Sequence, residues 1–171
     1  MGKSRKSTIR KFEFYETITD NGIESGYVRL ANTQFHSDAV IYIVENPSVF
    51  AMICEEKSCM CMNGQPRLSC LMVLELLARS GTHVFYSGDL DPEGMLIAQK
   101  LSRFYPGRFT YWHMAEEDYK VCQSQEILSE RRLKMLEKIT DERLLPVVNN
   151  MVRCRKAGYQ ENLHWCSLDM Q

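Results

Sequence analysis

From residue 39 the chain alternates short unbroken apolar runs with stretches of helical periodicity. AVIYIV (39–44) is a β-branched and aromatic run, the pattern of a strand buried on both faces, and it stops at Glu45-Asn46-Pro47. Pro47 is placed to open a helix running through Glu55. CMCM (59–62) reads as a second strand closed by Asn63-Gly64, and Pro66 begins an apolar helical segment that Gly81 ends. HVFYS (83–87) is a third strand, Glu93 to about Phe104 a third helix with Leu96, Ile97 and Leu101 on one face, and Phe109 to Trp112 a fourth strand.

This alternation predicts an α/β fold: a parallel central sheet of about four strands with helices on both faces. Beyond Tyr119 the pattern is helical through SERRLKMLEKI, DERLLPVVNNMVRC and GYQENL, with Pro146 expected to bend or break the second segment. The first 38 residues are polar and mixed, with turn signals at Asp20-Asn21-Gly22 and Ser25-Gly26. The expected organisation is an N-terminal arm or hairpin (1–38), an α/β domain (39–122) and a helical C-terminal extension packed on it (123–171).

Composition narrows the class. A chain of 171 residues with 44% hydrophobic content suits one globular unit. No apolar run reaches the roughly 20 residues of a spanning helix, and the basic N-terminus lacks a signal-peptide core, which points to a soluble, cytoplasmic protein with no membrane partner. Seven cysteines, an odd number lying in apolar segments without a Cys-x-x-Cys pair, fit reduced core thiols. The net charge of −1 conceals basic clusters at Lys3, Arg5, Lys6, Arg10 and Lys11 and at Arg153, Arg155 and Lys156, either of which suits a phosphate backbone or plain solvation.

Charge of the other sign is concentrated where chemistry is expected. In parallel α/β sheets ligands bind beyond the carboxyl ends of the strands, and those ends here carry Glu45, Asn63-Gly64 and the loop SGDLDPEG (87–94) with Asp89, Asp91 and Glu93. In an extended segment Asp89 and Asp91 point to the same side, and two such carboxylates call for a cation between them. Mg²⁺ fits, because it takes one or two carboxylates with waters and phosphate oxygens. A structural reading stands beside this: Asp91 is a good N-cap, Pro92 a good first helical residue, and Glu93 suits the positive end of the helix dipole. It leaves Asp89 and Glu45 unexplained.

VENPSVF (44–50), NGQP (63–66) and GDLDPEG (88–94), in this order and spacing, resemble the Toprim domain of topoisomerases, bacterial primases and old-family nucleases. The acidic loop is similar to those of type IA topoisomerases and of the topoisomerase VI A subunit. The chain most resembles the Toprim-like domain of unknown function at the C-terminus of longer bacterial proteins, where a GYQE-like segment, here Gly158 to Glu161, also recurs. The resemblance spans roughly residues 39–163. It implies a Toprim, Rossmann-like fold and a metal-dependent site cleaving phosphodiesters in DNA with Mg²⁺ or Mn²⁺. Glu45 would be the catalytic glutamate, acting as a metal ligand or as an acid/base, Asp89 and Asp91 the metal-binding pair, and Glu93 a further ligand found in only some branches. Gly64 and Gly88 would let the backbone approach the ligand, and Arg67 would meet a phosphate or be a solvated surface charge. The strand-breaking tyrosine of such topoisomerases lies on a separate domain, so the resemblance places further function in an N-terminal region or partner subunit. The alternative expectation is a non-catalytic binding or assembly module of a larger DNA-processing or plasmid-defence complex.

Overall fold

The computed structural model describes residues 11–19, 22–30, 39–163 and 165. The basic residues from Lys3 to Arg10 and the turn residues Asp20 and Asn21 lie outside them.

Four parallel strands carry the fold: β3 (Val40–Val44), β4 (Cys59–Cys61), β5 (His83–Ser87) and β6 (Phe109–Tyr111). An antiparallel pair, β1 (Lys11–Thr19) and β2 (Gly22–Leu30), extends them through β4, so the complete sheet has six strands in the order β1-β2-β4-β3-β5-β6. The parallel members are β4-β3-β5-β6, paired as Tyr42 with Cys59, Val44 with Ser87 and Tyr86 with Tyr111.

The connecting helices are α1 (Pro47–Ile53), α2 (Leu68–Arg79) and α3 (Pro92–Phe104). Period-two alternation divides the strand residues between the two faces. Ile41, Ile43, Met60, Val84 and Tyr86 join the large core with Leu74 and Leu77 of α2 and Met95, Ala98 and Leu101 of α3. Val44, Cys59 and Cys61 face the other way and pack with Val49, Phe50 and Ile53 of α1. Helices thus cover both faces, as the unbroken apolar runs required.

Helix starts follow local chemistry. Asn46 caps α1 by accepting from the Ser48 N–H at 2.8 Å, with Pro47 as the first helical residue. Asp91 caps α3 in the same manner, accepting from the Gly94 N–H at 2.7 Å ahead of Pro92. α2 begins at Leu68, with Arg67 at its N-cap and no side-chain bond there.

Beyond the parallel sheet, α4 (Glu116–Cys122), α5 (Glu130–Leu136) and α6 (Leu145–Cys154) alternate with two strands the helical reading did not anticipate, β7 (Gln123–Ile127) and β8 (Lys156–Gly158). These form an antiparallel two-stranded sheet. QSQEI carries few apolar residues and has no strand signature of its own; its pairing partner lies about thirty residues away, where only folding brings it. Of the segment DERLLPVVNNMVRC only Leu145–Cys154 is helical, and Pro146 sits in the first turn of α6, where a missing N–H costs nothing. GYQENL forms the end of β8 and a 3-10 turn (Gln160–Asn162) rather than an α-helix.

Among the described residues no helix is long and apolar enough to cross a membrane. The described cysteines are all free thiols, buried except for Cys154.

Candidate functional site

β3 and β5 run side by side and in register, with Val44 opposite Ser87, so the residues that follow them emerge at one edge of the sheet. Glu45 therefore meets the loop containing Asp89, Asp91 and Glu93, although about forty residues separate them.

Glu45 is 8% exposed, and its Oε1 accepts a short hydrogen bond from the Tyr86 hydroxyl. Burial raises its carboxyl to about 7; the Tyr86 bond opposes this, and the neighbouring charges of Asp89 and Asp91 add to the rise. Tyr86 is wholly buried, and burial beside Glu45 pushes its own hydroxyl well above the ordinary value. Tyr86 lies on the third strand expected from the sequence; the structure adds its polar end to the site.

Gly88 has a definite steric role here. A Cβ at that position would lie 2.7 Å from the Tyr86 hydroxyl oxygen and 3.0 Å from Glu45 Oε1. What approaches its backbone closely is this acid–phenol pair. Gly94 is equally constrained, since a Cβ there would stand 2.2 Å from the carbonyl oxygen of Asp89. Gly64 follows β4 with φ of 95° and has open space around it, so its requirement is the left-handed backbone of the turn.

Asp89 is half-buried. Its Oδ1 accepts from the backbone N–H of Gln160 at 2.8 Å, and burial raises its carboxyl above the usual aspartate value. The side chain of Gln160 reaches the other arm of the site, with Oε1 accepting from the Asn46 N–H at 3.3 Å. One residue of the C-terminal segment thus links the ends of β3 and β5. Gln160 is fully buried, and its Nε2 has no hydrogen-bond partner. It belongs to the GYQE segment, which was the only sequence signal that this region approaches the site.

Asp91 is raised above its ordinary value by burial, against the effects of its cap bond and of Arg132. Arg132, on α5, has no counterpart in the sequence expectations. Its Nη2 donates to Asp91 Oδ2 and to Glu93 Oε2, each at 2.6 Å, and its Nε donates to Glu93 at 3.0 Å. Its Nη1 donates to Glu126 of β7. Nothing in SERRLKM distinguishes Arg132 from a surface arginine, because the partners it meets are about forty residues away. Arg67 makes none of these contacts.

These placements bear on the expected divalent ion. Glu45, Asp89, Asp91 and Glu93 share one edge, but among the described residues no three acidic, histidine or cysteine side chains converge to hold an ion. Both Asp91 oxygens already accept hydrogen bonds, one from the Gly94 N–H and one from Arg132. In this arrangement the residues do not fit a metal; a guanidinium pairs with Asp91 and Glu93 instead.

No curated protein matches the chain. A family model described as "Protein of unknown function C-terminus" (DUF2399) matches residues 25–165, taking in the parallel sheet, the acidic loop and the Gln160 segment. With most of its length matched, the chain belongs to the DUF2399 family.

Proposed function

We propose that this sheet edge processes nucleic acid by acting on a phosphodiester in DNA. The observation that carries the reading is the meeting of Glu45 with Asp89 and Asp91 at the carboxyl ends of two adjacent parallel strands. That is where ligands of parallel α/β sheets bind. A Toprim-like relationship, drawn from the ENP, NGQP and GDLDPEG motifs, supports the same reading, and Mg²⁺ or Mn²⁺ is the cofactor it implies.

The chain's own residues are assigned as follows. Glu45 exchanges a proton, since a carboxyl held near neutrality suits acid–base work at physiological pH. Tyr86 fixes the orientation of its carboxyl, and Gln160 holds the two strand ends together. Asp89 and Asp91 supply the negative charge that would attract a divalent ion. No step is assigned through that ion, because the carboxylates described do not converge on one.

A second reading has its own support. Arg132 already pairs with Asp91 and Glu93, as it would in a binding or assembly module that performs no chemistry. Nicking of supercoiled plasmid by purified protein with Mn²⁺ or Mg²⁺, alone and with candidate partner proteins, separates the two. The enzyme reading expects Glu45→Gln to lose about two orders of magnitude in rate. Equal nicking by wild type, Glu45→Gln and Asp89→Asn would mark the activity as a contaminant, and absence of nicking in every setting favours the binding module.

A further inference from the structure

Period-two alternation puts Tyr42 of β3, His83 and Phe85 of β5 and Thr110 of β6 on the face of the sheet that α1 shares. α1 packs on the β3–β4 side of that face, over Val44, Cys59 and Cys61. Toward β5 and β6 the same face carries rings that stay partly exposed: His83 and Phe85 are half-buried, whereas Val84 and Tyr86, on the opposite face, are wholly buried. The rings form a continuous row. Their centroids are 4.3 Å apart from His83 to Phe85, 5.2 Å from Phe85 to Tyr42, 4.6 Å from Tyr42 to Trp112 and 5.1 Å from Trp112 to Trp165. Trp165 ends the row at the acidic edge, since its Nε1 donates at 2.9 Å to the carbonyl oxygen of Gln160, the residue whose N–H bonds Asp89. Two cations accompany the rings. Lys57 Nζ lies 4.6 Å from the Tyr42 ring centroid and 5.7 Å from that of Trp112. Arg108 is exposed and precedes β6 in the same alternation as Thr110; together with burial, its charge lowers the pKa of His83, which sets it beside the row.

We propose that this row is a stacking surface for the bases of single-stranded DNA and leads an unpaired strand to Glu45 and Asp89. The proposal rests on the reading of that edge as a site acting on phosphodiesters, and it names the form of DNA taken. Every base has a π face, so a row of rings holds a strand without reading its sequence, and cations beside the rings meet its phosphates. A duplex offers the row little, because its bases are stacked on one another and present only their edges in the grooves. The cations also favour this occupant over a second copy of the chain. Two copies joined symmetrically through this face would bring a further Lys57 and Arg108 against the first pair, and like charges brought together oppose association.

The protein's two tryptophans, Trp112 and Trp165, both belong to the row, so intrinsic fluorescence reports on it directly. The full chain is titrated with a mixed-sequence single-stranded oligonucleotide and with the same sequence as a duplex, at one salt concentration and with chelator present. The single strand should quench the emission and bind at least tenfold more tightly than the duplex. Phe85→Leu, which keeps apolar bulk and removes the ring, should weaken single-strand binding about tenfold, and Lys57→Gln severalfold, the order expected for one stacking contact and one phosphate contact. Equal affinity for the two forms, binding that leaves the emission unchanged, or wild-type affinity in Phe85→Leu overturns the proposal. So does a wild-type dimer, seen by sedimentation, that Phe85→Leu dissociates, since a second copy would then own this face. Plasmid nicking with Mn²⁺ judges the functional reading separately. Nicking by a protein without single-strand preference overturns the stacking surface and leaves that reading standing, whereas single-strand binding without nicking supports the surface and favours the binding module.

Discussion

The Tyr86 hydroxyl donates to Glu45 Oε1 across two neighbouring parallel strands, 41 positions apart in the chain, and both groups are buried. That bond favours the ionised carboxylate, yet burial outweighs it and holds the Glu45 carboxyl at about 7, above an ordinary value of 4.5.

A pH-dependent stability follows for the metal-free protein. With its acid constant raised by folding, Glu45 binds a proton in the native state over a range where the unfolded chain has released it. Its effect on stability is therefore most favourable below about 4.5, declines as pH rises toward 7, and levels off as a fixed penalty above it. Glu45→Gln removes this decline. Thermal unfolding with chelator present should give the variant a higher melting temperature than wild type at pH 8 and a similar one near pH 4. A constant difference across that range would contradict the buried, proton-holding Glu45.

Asp141 should act in the opposite sense and in a different range. Arg143 holds its carboxyl down at about 2, with the Tyr111 hydroxyl also donating to it at 2.7 Å. Its stabilisation is fully present above an ordinary value of 3.8 and is lost as pH falls toward 2. Arg143 is about half exposed, so solvent screening keeps the contribution to about 1 kcal/mol or less. Urea unfolding at pH 6 should show Asp141→Asn below wild type by an amount that shrinks to a small fraction by pH 2. A gap as large there as at pH 6 would mean that the asparagine disrupts packing rather than charge.

Two glycine substitutions should differ in cost because they fail for different reasons. Gly94→Ala drives a Cβ to 2.2 Å from the backbone oxygen of Asp89, so the acidic loop or the start of α3 has to move. Overpacking of that kind costs about 1–3 kcal/mol or more. Gly64→Ala has open space, and its cost is the left-handed backbone alone, about 1 kcal/mol. Denaturant midpoints should place Gly94→Ala clearly below Gly64→Ala, and the reverse order would refute the packing described around Asp89.

The parallel core was legible in the sequence for a physical reason. A strand covered on both faces carries an unbroken apolar run, as AVIYIV and the Val84-Phe85-Tyr86 centre of HVFYS do, and the helix starts at Asn46-Pro47 and Asp91-Pro92 depend on side chains adjacent to the backbone they cap. The edge on which Glu45 and Asp89 meet was legible as well, since in a parallel sheet all carboxyl ends share one side.

The other features depend on distance along the chain. Local sequence contains no mark of the pairing of QSQEI with Lys156–Gly158, of the Gln160 bridge between Asp89 and Asn46, or of Arg132 reaching Asp91 and Glu93, because each joins segments that only tertiary packing makes neighbours. The sequence alone determined where negative charge collects at the sheet edge. Tertiary structure decided what balances it: burial protonates Glu45 near neutrality, and a guanidinium from α5 pairs with Asp91 and Glu93, since a carboxylate taken out of water needs a proton or a cation and the fold supplies one of each.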